Sequence, residues 1–181
     1  MYLAAHMKYL VLSFLIVCAF SCNKIDELTQ FNMDYTTQVT IPSNTVVSLP
    51  IDLFTPDIQS NSESTFSSNN TNKDLIEEVK LTSMNLVLKS PTNGDFSFLD
   101  EVRVFIDADG LNETEIATAL NISAAVDDEL ELDTDDVNLM EFLKKDKFSL
   151  RVYTVTDEAI VQDHEIEVNS TFFVDAKILG N

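Results

Sequence analysis

From Phe31 onward, apolar and polar residues alternate along the chain. Phe31, Met33, Tyr35, Val39 and Ile41 take one phase, while Asn32, Asp34, Thr36, Gln38 and Thr40 take the other. That period of two predicts a strand with one buried face. Pro42-Ser43-Asn44 interrupts it, and Val47, Leu49, Ile51 and Leu53 then resume the alternation. Pro50 has no N–H to give a neighbour, which places this second strand at a sheet edge or a bulge. Further on, Asn72 is placed to cap a short helical turn through Lys73–Glu78. A strand follows through Val79, Leu81, Met84, Leu86 and Leu88. Its phase slips by one residue at Thr82-Ser83, the mark of a β-bulge.

Ser90-Pro91-Thr92-Asn93-Gly94 is turn chemistry. Val102, Val104 and Ile106 mark the next strand, and Leu130 with Leu132 a short one. Ile116, Leu120 and Ile122 recur too weakly to assign an element. Phe148, Leu150 and Val152 alternate with Ser149, Arg151 and Tyr153. The last strand carries Ile166, Val168, Phe172, Val174, Ala176 and Ile178 in one phase. A single segment has helical spacing: Val137, Leu139, Met140, Phe142 and Leu143. Asp133–Asp136 precede it and Lys144, Lys145 and Lys147 close it, as the helix dipole prefers. This predicts one short helix near 135–145, bridging two sheets. About eight short strands without βαβ alternation predict an all-β, antiparallel β-sandwich. Immunoglobulin-like and jelly-roll-like orders both fit.

Residues 55–72, TPDIQSNSESTFSSNNTN, are nearly all Ser, Thr and Asn. Such a stretch buries too little to offset its ordering entropy and reads as a mobile polar loop. Loops on a rigid scaffold carry contacts disproportionately, so it is the first candidate for a contact surface.

Charge narrows the function classes. Across 181 residues, 31 acids face 11 bases, for a formal net charge of −20. That excludes a nucleic-acid binder working by phosphate neutralisation, and it disfavours docking on anionic headgroups. With three glycines, far apart, there is no phosphate-cradling loop.

The first 22 residues differ from the rest. Lys8 precedes an apolar run from Tyr9 to Phe20, and Ser21 stands before Cys22. The run is shorter than the roughly 20 residues a spanning helix needs. A base, a short apolar stretch and a small residue make a secretory signal peptide. At Cys22 this leader resembles that of bacterial lipoproteins, which are cut before a cysteine that then carries fatty acyl chains such as palmitate. No cysteine follows Cys22, so a disulfide role has no partner. The resemblance implies a signal peptide over 1–21, a lipidated tether over 22–29 and a single domain over 30–181. It implies an exported protein of the cell envelope, anchored through Cys22 on the periplasmic or surface face of the outer membrane.

The sharpest cluster of potential ligands is Asp107-Ala108-Asp109-Gly110, with Glu113 and Glu115 close behind. Calcium takes six to eight oxygens, and closely spaced carboxylates on a Gly-containing loop supply them. An EF-hand is excluded, because Phe105 stands where it needs an oxygen ligand. A strand-end calcium site at Asp107, Asp109, Glu113 and Glu115 is the form that remains; a solvated acidic turn is the plain alternative. The acids from Asp127 to Asp136 read as a solvated face. His164 is the only histidine after the leader, and no GxSxG elbow or free thiol accompanies it. The expected function is a membrane-anchored, non-catalytic interaction or structural module that meets a protein partner. The alternatives are a calcium-binding adhesion or small-ligand-binding sandwich and, further off, a secreted hydrolase.

Overall fold

The computed structural model describes residues 29–43 and 45–177. Cys22, the leader and Ile178 lie outside the described residues. The strands are β1 (Phe31–Ile41), β2 (Pro50–Phe54), β3 (Ile58–Gln59), β4 (Ile76–Ser90) and β5 (Leu99–Asp107). They continue as β6 (Thr114–Leu120), β7 (Glu129–Glu131), β8 (Asp133–Thr134), β9 (Lys147–Thr156) and β10 (His164–Ala176). Two short helices, α1 (Ser62–Ser68) and α2 (Met140–Leu143), lie between strands.

One sheet has the order β1-β10-β4-β7; the other runs β2-β9-β5-β6-β8, with β3 also on β9. All pairings are antiparallel. An immunoglobulin sheet pairs its first strand with its second. Here β1 pairs with β10, and β2 lies in the opposite sheet. Treating β2–β3 as one broken edge strand, and β7–β8 as one strand that changes sheets, leaves eight strands wound as two Greek keys. That is the jelly-roll order.

The alternating phases fill the space between the sheets. Met33, Val39 and Ile41 of β1 meet Ile166, Val168, Phe172 and Val174 of β10 on one wall. Phe148, Leu150 and Val152 of β9 stand on the other. Tyr35 bridges the two, its ring 5.1 Å from Phe148 and 5.7 Å from Phe172 in edge-on contacts. Its hydroxyl donates to the Ser60 carbonyl at 2.6 Å, and burial raises its pKa. The bulge in β4 falls where the phase slips, between the Ser83–Thr171 and Leu81–Phe172 pairs. Pro50 opens an edge strand, where its missing donor costs nothing.

Asparagine supplies the turn conformations that glycine usually provides. Asn61, Asn70, Asn93 and Asn121 all have positive φ, from 49° to 63°. Asn is the residue after Gly that tolerates this region best.

Three expectations need correction. Residues 55–72 are not a structureless loop: they hold β3 and α1, and Phe66 is 0% exposed. The polar side chains there bond locally, as when the Ser64 hydroxyl donates to the Asn61 carbonyl at 2.9 Å. One phenylalanine and the first-strand contact to Phe31, at 6.0 Å between rings, suffice to seat the helix. The helix near 135–145 shrinks to Met140–Leu143, because the preceding residues bind β4 instead. Leu139 N–H donates to the Val79 carbonyl at 2.7 Å, and Val79 N–H to the Asn138 side chain at 3.2 Å. The turn capped by Asn72 stops at Leu75 as a 3₁₀ turn, since β4 begins at Ile76.

Candidate functional site

The four carboxylates of the expected calcium loop do not converge. Asp107 ends β5, and Asp109 lies in the turn before β6. Glu113 is taken by Arg151, whose Nε and Nη2 donate to it at 2.7 and 2.6 Å. Glu115 accepts from Arg103 at 3.3 Å. Among the described residues, no group of three or more His, Cys, Asp or Glu side chains is arranged to hold a metal. Two of the four expected ligands, Glu113 and Glu115, are therefore held by different arginines.

These are the chain's only arginines, and both project from the outer face of the β2-β9-β5-β6 sheet. Arg151 also binds Asp52 at 2.6 Å, and its guanidinium lies 4.0 Å from the centre of the Phe105 ring. Arg103 binds Glu101 as well as Glu115. Register explains the meeting: Phe54, Arg151, Phe105 and Glu115 face one another across four adjacent strands. The hydrogen bonds from Arg151 hold the Glu113 carboxyl below the usual carboxylate range. With each guanidinium already engaged by two acids, this face is a structural brace and offers no free anion site.

The concave surface gathers around α1. An open cleft of about 500 Å³ is lined by Ser60, Asn61, Ser62, Ser64, Lys73 and Asp146 among others. A second of about 330 Å³ lies against Asn32, Asp34, Tyr35 and Thr65. Their walls carry hydroxyls, amides and the carboxylates of Asp34, Glu63 and Asp146, and Lys73 is already paired with Asp146 at 3.2 Å. This region adjoins both limits of the described chain. Phe31 touches Phe66, and Lys177 N–H donates to the Leu75 carbonyl at 2.8 Å.

The opposite end is built by four loops, whose described residues are 42–43 with 45–49, 91–98, 121–128 and 157–163. Backbone bonds stitch them together. Ser48 N–H donates to the Thr156 carbonyl at 2.7 Å, Asp157 N–H to Phe98 at 3.1 Å, and Phe96 N–H to Asp127 at 3.1 Å. Ser43 N–H donates to the Asp163 carboxylate at 2.7 Å and holds its pKa down. His164 packs here, its ring 4.4 Å from Phe98 and its Nδ1 2.9 Å from the Gln162 carbonyl. Exposed apolar side chains crown this end: Val46 at 61%, Leu49 at 55% and Val161 at 86% exposed. The Val47–Leu49 part of the expected second strand lies in this crown and not in β2, because Ser48 turns the chain at φ 58°. The hydrophobic pattern revealed these residues but assigned them to a strand.

No family model matches the sequence, and no curated protein matches it. Among solved structures, the chain is similar to the BFDV capsid protein, crystallised as a decamer. The identity is 8% and the TM-score 0.42, over 82% of this chain and 98% of that one. Desmodium yellow mottle tymovirus matches at 8% identity and TM-score 0.29, over 84% of this chain and 91% of that one. Turnip yellow mosaic virus matches at 9% and 0.29, over 84% and 96%. The jelly-roll assignment rests on the strand order.

Proposed function

We propose that this protein is a lipid-anchored component of the cell envelope, a non-catalytic module that presents a surface to another protein. The observation that carries the reading is the polarity of the sandwich. The described chain begins at Thr29, at the end where α1 lies, so a tether from Cys22 attaches there. Eight residues of tether, at roughly 3.4 Å each, keep that end within about 27 Å of a membrane. The eleven residues of β1 put the four-loop end roughly 35 Å further out. The 55–72 segment then faces the membrane, and the four-loop end takes its place as the contact surface.

The disposition of polar groups supports a non-catalytic role. His164 is at the end remote from the clefts around α1, and Glu101, Glu113, Glu115 and Asp52 are engaged by arginine. A nucleophile, base and orienting acid must meet within hydrogen-bond reach, and these groups do not. No helix among the described residues is long and apolar enough to cross a membrane. Acyl chains contribute about 0.8 kcal/mol per buried CH₂, so an acylated Cys22 supplies the attachment. Fractionation of cells expressing Cys22→Ser tests the reading. The variant is expected in the soluble fraction, with the unsubstituted protein in the membrane pellet; equal retention of both overturns the anchor.

A further inference from the structure

The four-loop end combines two features found together nowhere else on the described surface. It carries exposed Val46, Val47, Leu49 and Val161. Its loops also contain Asp95, Asp127, Asp128, Asp157, Glu158 and Asp163, and neither Lys nor Arg. His164 adjoins Asp163, and the nearest Lys or Arg along the chain is Lys89, near the end of β4, which pairs with Glu167 at 3.8 Å. The lysines collect at the other end, where Lys73, Lys147 and Lys177 pair with Asp146, Asp57 and Glu77.

We propose that this end docks a protein surface that is basic and presents an apolar recess for the valine and leucine side chains. Two observations identify the occupant. Uncompensated acids steer a cationic partner and repel an anionic one, which disfavours both an anionic bilayer and the same end of a second copy. Exposed branched side chains on backbone-stitched loops lose little freedom on binding and bury apolar area, as interface anchors do. Val161, the most exposed of them at 86%, is the central anchor. Its outward direction rests on the anchored reading, whereas the chemistry of the face does not.

The test uses the full acylated chain in its own envelope membranes, with a photo-crosslinking residue at Val47, Val161 or Ser64. The expected result is an adduct with one other protein from positions 47 and 161, at least about tenfold stronger than from 64. The joined peptide of that protein bears Lys or Arg. Asp157→Lys with Glu158→Lys lowers the adduct at least about tenfold, with an unchanged Tm certifying the fold. The proposal is overturned if positions 47 and 161 yield no more adduct than 64. It is equally overturned if the adduct is to lipid, to a second copy or to an acidic segment, or if the charge reversal leaves it unchanged. The membrane fraction of the same cells reads the anchor separately. Released protein that still crosslinks removes the anchor and keeps the docking face; retained protein without adduct does the reverse.

Discussion

Arg151 carries more than any other surface side chain. It donates to Glu113 through two nitrogens, to Asp52 through a third, and covers the Phe105 ring, while remaining 19% exposed. Exposed ion pairs contribute little, but a bidentate, partly shielded one stacked on an aromatic ring sits at the upper end of the range. Arg151→Ala is expected to cost about 1 kcal/mol in urea unfolding. The pH dependence follows from Glu113, whose folded pKa is depressed. Its contribution is complete above the unfolded value of about 4.3 and is lost as pH falls through the lower folded value. The stability gap between the parent and Arg151→Ala should therefore hold steady from pH 8 to 5 and narrow below about pH 4. A gap independent of pH down to 2 would remove Glu113 from the account. Because Glu113 and Glu115 are held by different arginines and no three carboxylates among the described residues are arranged to hold a metal, millimolar calcium is expected to leave Tm unchanged. Thr156 supplies a contrasting case, since its buried hydroxyl has no hydrogen-bond partner. Thr156→Val should raise stability by about 1 kcal/mol, because an unsatisfied hydroxyl costs more than a methyl in the same place. None of these pairings had a local signal. Glu113 and Arg151 are 38 residues apart and meet only through the register of β9 on β5.

Elements whose alternation runs unbroken were legible from the chain itself. β1, β5, β9 and β10 each bury one phase, and the slip in β4 marked its bulge correctly. β6 was not legible, because the register shift at Val104/Phe105 leaves Ile116 and Ala117 both buried and so erases the alternation. α1 was hidden for another reason. Its residues, Ser62–Ser68, favour turns, and a single side chain, Phe66, secures it by tertiary contact. Phe66→Ala is accordingly expected to cost about 3 kcal/mol and to lower Tm by roughly 6–12 °C. Ser64→Ala, on the exposed side, should stay within about 0.5 kcal/mol. Equal, negligible effects from both would return 55–72 to the status of an unpacked loop.

Across the whole molecule, fold and charge share one axis. The jelly roll brings both limits of the described chain, α1 and most of the lysines to one end. The four stitched loops, with six acids and no base, form the other. The net charge of −20 was plain in the composition, but its separation along the sandwich was not, because it depends on which loops the topology gathers. A polar scaffold of this kind suits a protein held at one end and read at the other. That use depends on Cys22, so the intact mass of the protein extracted from membranes tests the account most directly. The predicted result is a chain that begins at Cys22 and carries the added mass of acyl chains. A chain that retains residues before Cys22, or one with an unmodified cysteine there, would contradict it.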